Sequence, residues 1–186
     1  MSQLSISELP LFGLKLISRQ ELADSRGSLS RIFCAETLEE AGWHQSIAQL
    51  NHTKTLKRGT IRGMHYQLPP HSELKLVSCI RGEIWDVVVD LRSDSPTFLK
   101  WHAEALSSEN NRALLVPKGC AHGFQTQTDN VEVLYCHSEA YQAASEAGLN
   151  PQDPCLSINW PLNISELSSR DAGHPMITDT FKGVII

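Results

Sequence analysis

Short strand-like runs, some of them alternating apolar and polar residues, are separated by turn residues along most of the chain. Between Ser46 and Gln127 these runs are interrupted at Pro69-Pro70, Arg81-Gly82, Ser93 to Pro96, Asn110-Asn111 and Pro117 to Gly119. Val131 to Ser138 adds one more run of the same kind. Strands that recur at this spacing are typical of a β-sandwich or barrel. The pattern therefore predicts an all-β domain.

The N-terminal part predicts two strands and one short helix. Leu14 to Ile17 is an apolar strand, and the polar turn Asp24-Ser25-Arg26-Gly27 separates it from a second strand, Ser28 to Cys34. These two strands are expected to form a hairpin or a sheet edge. Thr37 to Ala41 begins with a capping residue followed by acidic residues, which indicates a short helix.

Polar side chains recur on one face of several predicted strands, because successive side chains of a strand point to opposite sides. The residues that share a face are Gln49 with Asn51, His65 with Gln67, and Val133 with Tyr135 and His137. Such a face fits either the polar lining of a barrel interior or a solvated outer surface.

Length and charge restrict the function. The 186 residues suit a single domain, residues 1–186, and leave little room for a second one. The net charge is −5, from 16 basic and 21 acidic residues, and no block of like charges occurs. This balance argues against a nucleic-acid surface or a polybasic membrane patch, and it favours a small ligand held by individually placed side chains.

The chain carries neither an apolar run of the roughly 20 residues that a membrane span needs nor the pattern of a signal peptide. We therefore expect a cytoplasmic protein without a membrane partner. The cysteines are odd in number, widely spaced and free of CxxC pairs, which argues against a disulfide framework or a thiolate zinc site. They are Cys34, Cys79, Cys120, Cys136 and Cys155.

The segment from Gly59 to Pro70 concentrates candidate chemistry. It places Arg62 and His65 on one strand-like run, and Lys75 follows shortly after the Pro-Pro pair that ends it. A single histidine on a strand is more often a hydrogen-bonded structural residue than a catalyst. The rest of the chain must therefore decide between these two interpretations.

Two segments resemble the paired motifs of cupins. Pro117 to His122 has the Pro-x-Gly-x-x-His form of the second motif, which delivers a histidine into a small barrel. The first motif would supply His-x-His, but His65 is followed by Tyr66 and Gln67. His65 and His122 alone provide fewer than the three protein ligands that a catalytic metal usually takes, so we predict a barrel without a metal.

A closer resemblance extends over most of the chain, in matching order. The segments that carry it are Asp24 to Gly27, Arg62 to Gln67, Lys75 to Val77, Arg81 to Glu83, Asp90 to Arg92, Ser95 to Thr97, Ala121 to Phe124, Leu134-Tyr135 and Ser168 to Asp171. Together they resemble the dTDP-4-dehydrorhamnose 3,5-epimerase family. The resemblance implies an antiparallel, cupin-like jelly-roll barrel with a few short helices. It also implies an isomerase that needs no cofactor, and a homodimer with exchanged N-terminal strands.

The resemblance also implies catalytic roles for four residues. His65 would remove a proton next to the 4-keto group of a nucleotide-linked 6-deoxy sugar, and Asp171 would orient His65 and stabilise its charged form. Lys75 would stabilise the enolate oxygen. Tyr135, protonated at neutral pH, would return a proton to the opposite face.

Further residues match substrate contacts of the family: Arg26, Gln49, Asn51, Arg62, His122 and Glu146. Arg170 stands where the family commonly has lysine, which preserves the charge but changes the geometry. Arg31 stands where rhamnose-pathway enzymes tend to have glutamate near the nucleoside, and Ala140 replaces an aromatic residue that often precedes the position of Tyr141. A mono-epimerase, an epimerase for a CDP- or GDP-linked sugar, and a non-catalytic sugar-nucleotide-binding cupin therefore remain alternatives.

Overall fold

The structure, a computed structural model, describes residues 3–186 and consists mainly of β-strands. The strands are β1 Leu4–Glu8, β2 Lys15–Arg19, β3 Glu21–Asp24, β4 Gly27–Ser30, β5 Gln49–Thr55, β6 Thr60–Gln67, β7 Lys75–Arg81, β8 Glu83–Asp90, β9 Trp101–Ser107, β10 Arg112–Val116, β11 Cys120–Thr126, β12 Val131–His137, β13 Glu146–Gly148 and β14 Glu166–Leu167. The α-helices are α1 Ala35–Glu39 and α2 Ser169–Ala172, and Ala143–Ser145 forms a 3₁₀ turn.

Two six-stranded sheets make up the body of the fold. The order of the first sheet is β1-β2-β10-β7-β12-β5, and the second contains β13-β6-β11-β8-β9 with β14 added beside β6. All the pairs are antiparallel except β14 with β6. The predicted all-β, cupin-like jelly roll is confirmed.

Apolar side chains from both sheets fill the space between them at one end of the barrel. Val77 on β7 and Leu114 on β10 meet Ile84 and Val88 on β8 and Phe124 on β11, and all five are almost completely buried. Burial of each such side chain contributes roughly 1.5–3 kcal/mol to stability. This packed end holds the two sheets at a fixed separation, which leaves room for polar residues at the other end.

The outer faces of both sheets are also covered. Leu38 of α1 and the neighbouring Trp43 pack on the first sheet, and Leu149, Leu156 and Val184 pack on the second. Because the strands of the barrel are buried on both faces, several of them read as continuous apolar runs rather than as alternating ones.

The N-terminal predictions need correction. The strand predicted at Leu14 to Ile17 is β2, but its partners are β1 and β10. The hairpin is instead formed by β3 and β4 around the predicted turn, and β4 ends at Ser30 rather than Cys34. The helix begins at Ala35, so Thr37 lies inside it and Cys34 occupies the N-cap position.

All five cysteines are free, as predicted, and Cys79, Cys120 and Cys136 are buried. Over residues 3–186, no helix is both long enough and apolar enough to cross a membrane.

Candidate active site

A cavity of about 910 Å³ opens between the two sheets, at the end where polar residues replace the apolar core. Its walls come from β5, β7 and β12 of one sheet and from β6 and β11 of the other, and residues 165–171 close one side. Eight of the twelve predicted site residues line it: His65, Asp171, Tyr135, Lys75, Asn51, Arg62, His122 and Arg170. For the polar faces of these strands, the barrel-lining interpretation is therefore the correct one.

His65 and Asp171 form a histidine–carboxylate pair, although 106 positions separate them in sequence. Nε2 of His65 lies 2.8 Å from Oδ1 of Asp171, and the other carboxylate oxygen accepts from the backbone N–H of Gly63 at 3.2 Å. Burial would raise the pKa of Asp171, but the hydrogen bond and charge of His65 outweigh it and lower that pKa below its ordinary value. The carboxylate therefore remains ionised at neutral pH and fixes the orientation of the imidazole.

The helix α2 positions Asp171 in its first turn. The hydroxyl of Ser168 accepts from the backbone N–H of Asp171 at 3.0 Å, which caps the helix. Just before this cap, β14 runs parallel to β6 and sets Leu167 opposite Ile61. The same strand therefore carries His65 and anchors the segment that supplies its carboxylate.

Gly63 allows β6 to lie close to β11. Its φ is +132°, and a Cβ atom at this position would lie 2.5 Å from the Cα of Gly123. A side chain would therefore force the strands apart. Because the strands are in contact, His65 on β6 pairs directly with His122 on β11.

Tyr135 and Lys75 stand on the opposite sheet. Burial raises the pKa of the Tyr135 hydroxyl well above its ordinary value, so the phenol keeps its proton at neutral pH. Nζ of Lys75 lies 3.1 Å from Oε1 of Glu73 and 3.4 Å from the backbone oxygen of His65. The cavity therefore has an imidazole on one wall, and a phenol and an ammonium group on the other.

His122 belongs to a second, fully buried pair. Its Nε2 lies 2.7 Å from Oδ1 of Asp86, and its ring stands edge-on to the Tyr135 ring with centroids 6.1 Å apart. Burial raises the pKa of Asp86, and the charge of His122 opposes that shift. His122 lines the cavity, Asp86 lies behind it, and the His122 ring packs against Tyr135.

Charged side chains surround the mouth of the cavity. Arg62 donates from Nε to the Thr55 hydroxyl at 2.8 Å and is exposed. Arg170 forms an ion pair with Glu146, which also accepts from the Tyr141 hydroxyl at 3.0 Å. Arginines placed this way suit the recognition of phosphate groups.

An adjoining cavity of about 110 Å³ shares Asn51, His65, Lys75 and His137 with the main one. The predicted residues Gln49 and Glu146 line this smaller cavity. Arg26 and Arg31 lie elsewhere. Arg26, at the exposed tip of the β3–β4 hairpin, pairs with Asp24 at 2.6 Å, and Arg31 is exposed just after β4. Neither arginine lines either cavity of this chain.

The predicted residues did not include the two histidines His137 and His174 or the two carboxylates that pair with site histidines, Glu73 and Asp86. The strand alternation had put His137 on the face of Tyr135, so a signal for it existed. Glu73 and Asp86 pair with histidines 64 and 36 positions away, and nothing local in the sequence reveals such partners.

His174 packs against His65. The two rings meet edge to face with centroids 5.6 Å apart. Gly148 makes this possible, because a Cβ atom there would lie 2.4 Å from Nε2 of His174. Burial and the neighbouring His65 lower the pKa of His174. At neutral pH His174 is therefore an uncharged neighbour of His65.

Donor atoms of His65, Asp171 and His174 lie within 4.8 Å of one another and form a possible metal-ligand group among the described residues. His65 and Asp171 are already hydrogen-bonded to each other at 2.8 Å, and His122 is hydrogen-bonded to Asp86. We therefore expect turnover to survive exhaustive chelation, with substoichiometric metal by elemental analysis. Stoichiometric bound metal whose removal stops turnover would contradict this prediction.

The fold and the cavity together define a cupin-like barrel in which a histidine–carboxylate pair faces a protonated tyrosine, an arrangement suited to an isomerase that acts by proton transfer. The family described as dTDP-4-dehydrorhamnose 3,5-epimerase matches residues 8–179. The chain belongs to this family.

Individual relatives agree with this assignment. The chain is 41% identical over 157 residues to a dTDP-4-dehydrorhamnose 3,5-epimerase of Shigella flexneri, which covers 84% of this chain and 86% of the relative. A dTDP-4-dehydrorhamnose 3-epimerase of Streptomyces niveus is 37% identical over 164 residues. That alignment covers 88% of this chain and 79% of the relative.

A solved structure is similarly close. It is the dTDP-6-deoxy-D-glucose-3,5-epimerase of Legionella pneumophila in complex with dTDP-4-keto-L-rhamnose. Its TM-score is 0.91 at 34% identity, with 98% of each chain covered.

Proposed function

We propose that the protein epimerises C3 and C5 of a dTDP-linked 4-keto-6-deoxy sugar, converting dTDP-4-dehydro-6-deoxyglucose into dTDP-4-dehydrorhamnose. The observation that carries the proposal is the His65–Asp171 pair at 2.8 Å on one wall of a cavity whose opposite wall holds Tyr135. Family membership supplies the substrate class.

Each residue has a distinct part in the proposed reaction. The ketone acidifies the hydrogens on its two neighbouring carbons, so His65 can remove one and leave an enolate. Lys75 stabilises the enolate oxygen, and Asp171 stabilises the imidazolium. Tyr135 delivers a proton from the other wall, which inverts the configuration. Because its pKa is raised mainly by burial, Tyr135 is protonated and ready to act as a donor.

The remaining predicted residues are assigned to binding. Arg62 and Arg170 lie at the mouth, where they suit the diphosphate. Asn51 and His122 line the main cavity, while Gln49 and Glu146 line the smaller one beside it. In this arrangement the sugar enters first and the nucleoside stays near the surface. A cytoplasmic location also remains part of the proposal.

The test is to incubate the protein with dTDP-4-keto-6-deoxyglucose in deuterated water and follow both carbons by NMR. We expect deuterium at C3 and C5 and inversion at both. The UDP-, CDP- and GDP-linked forms serve as competitors, because Arg31 replaces an acidic residue of the family. Binding without deuterium uptake would support the non-catalytic alternative, and preference for another nucleotide would redirect the assignment.

Inversion at one carbon alone is the second candidate function. The Streptomyces niveus relative, named as a 3-epimerase, has an identity close to that of the relatives named as 3,5-epimerases. The same NMR experiment separates the two functions, since a mono-epimerase would invert only one carbon.

We further propose a homodimer in which the β3–β4 hairpin of each chain reaches the partner. The hairpin lies outside both large sheets, and its cross-strand pair Leu22 and Leu29 is 44% and 65% exposed. Exposed apolar pairs of this kind favour an interface. Arg26, which matches a family substrate contact, and Arg31, which replaces a family glutamate near the nucleoside, would then approach the partner's cavity.

Mixed dimers test this exchange. We expect His65→Ala protein and Arg26→Ala protein, each weakly active, to recover activity after co-refolding, because one site per mixed dimer then contains both His65 and Arg26. Size-exclusion chromatography with light scattering measures the assembly. A monomer, or a mixed dimer without recovery, would contradict the exchanged arrangement.

A further inference from the structure

A third histidine–carboxylate pair, after His65–Asp171 and His122–Asp86, lies at the cavity. Nδ1 of His137 lies 2.7 Å from Oε2 of Glu73, a carboxylate that is 9% exposed. Burial would raise the pKa of Glu73, but His137 and Lys75 outweigh that effect and lower it below the ordinary value. Glu73 is therefore ionised, and it fixes the tautomer of His137 with the proton on Nδ1.

His137 stands beside the two groups that already have roles in the reaction. It follows Tyr135 by two positions on β12, and the rings stack with centroids 6.0 Å apart and planes 27° from parallel. It is also the direct cross-strand partner of Lys75 on β7. Glu73 bridges Lys75 and His137, because its Oε1 contacts Nζ of Lys75 and its Oε2 contacts Nδ1 of His137. Tyr135, Lys75 and His137 thus form one surface opposite His65.

Nε2 of His137 is not firmly held. Its one hydrogen-bond neighbour in the described chain is Nδ2 of Asn51 at 3.4 Å, which is long for a hydrogen bond. Both cavities include His137 in their walls. A substrate that displaces the Asn51 contact would meet Nε2 directly.

Double epimerisation needs a proton donor opposite the base at each of two carbons. Tyr135 is a single donor, so one carbon is left to another group. We infer that His137 is the second proton donor, and that Tyr135 and His137 each serve one of the carbons that flank the ketone. This inference rests on the proposed function.

The proton balance closes at His137. The enolate electron pair forms the new C–H bond with the Nε2 proton of the His137 imidazolium, and the Nε2–H bond breaks. The neutral imidazole keeps the proton on Nδ1, which is hydrogen-bonded to Glu73. It regains the Nε2 proton from water. His65 holds the proton removed from the opposite face and returns it to solvent, so no other reactant is needed.

The test is centre-resolved NMR of the reaction in deuterated water with His137→Gln. We expect inversion to fall by roughly 10²–10⁴-fold at one carbon, the usual effect of losing a positioned acid. That carbon should still take up deuterium with its configuration retained, because His65 is intact. The other carbon should invert at a near-normal rate. The double epimerase thereby becomes a single one.

Two further variants make the result decisive. Glu73→Gln should weaken inversion at the same carbon, while His52→Gln should change neither carbon. His52 also pairs with a glutamate, Glu132, at 3.0 Å, but it lies on the exposed outer face of the same strand pair. Circular dichroism and the surviving inversion show that each variant is folded.

The outcomes distinguish this inference from the proposed function. Wild-type protein that inverts no carbon, or one only, would overturn the proposed function. Wild-type protein that inverts both, together with His137→Gln and Glu73→Gln variants that still invert both at normal rates, would overturn the role of His137 alone. Equal loss at both carbons in folded His137→Gln protein would also overturn it.

Discussion

Replacement of His65 by alanine is expected to abolish exchange of the substrate's C3 and C5 hydrogens with solvent. The variant lacks the proposed base, and loss of a positioned base costs roughly 10²–10⁴-fold in rate. Substrate binding should persist, because Arg62 and Arg170 at the mouth are unchanged. Deuterium uptake measured by NMR checks the first expectation, and calorimetric titration with dTDP checks the second.

Asp171→Asn probes the same pair from its other side. The amide keeps the size of the side chain and can still accept from the Gly63 N–H, but it no longer carries the charge that stabilises the His65 imidazolium. We expect a marked loss of exchange in a protein that remains folded. His102→Ala is the matched control, since His102 pairs with Glu104 at 2.9 Å and lines neither cavity. Near-normal exchange in both His65→Ala and Asp171→Asn would exclude this pair as the base.

The second large effect is expected for Tyr135→Phe, which removes only the hydroxyl. The phenyl ring still fills the space beside His122 and His137, so packing and binding should change little. Inverted product at the carbon that Tyr135 serves should fall by roughly 10²–10⁴-fold. Deuterium should still enter that carbon, because His65 continues to remove its proton.

Deuterium uptake at a carbon whose configuration is not inverted is the result that identifies loss of the Tyr135 proton donor. Tyr66→Phe serves as a comparison, because Tyr66 is a buried tyrosine on β6 of the opposite sheet, packs in the outer core and borders only the smaller cavity. If Tyr135→Phe protein inverts both carbons at the normal rate, then another group or a water molecule delivers the proton.

The sequence predicted the barrel well because the turn residues and the short alternating runs are local signals. It was less accurate near the N-terminus. Leu14 to Ile17 is recognisable as a strand, but its pairing with β10 depends on residues almost one hundred positions away. The helix boundary was misplaced because Thr37 resembles an N-cap, whereas the first turn begins after Cys34.

The site shows the same division between local and distant information. Resemblance placed His65, Asp171 and Tyr135 together, and the structure brings them to one cavity. The pairs His137–Glu73 and His122–Asp86 form only when strands meet, so composition and spacing cannot reveal them. His174 depends on a missing side chain at Gly148, which is a packing property and leaves no pattern in the sequence.

The proposed base and its carboxylate come from different elements, His65 from β6 of the second sheet and Asp171 from α2, which follows β14. During synthesis on the ribosome, β6, β7 and β12, which carry the other proposed catalytic groups, emerge before Asp171. Strands β5 to β12 can therefore pair while the imidazole of His65 still lacks its counter-charge. Spectroscopic signals of strand formation would follow the first event, and turnover would follow the second. Activity is thus a readout of how residues 165–171 dock, distinct from the stability of the sheets beneath them.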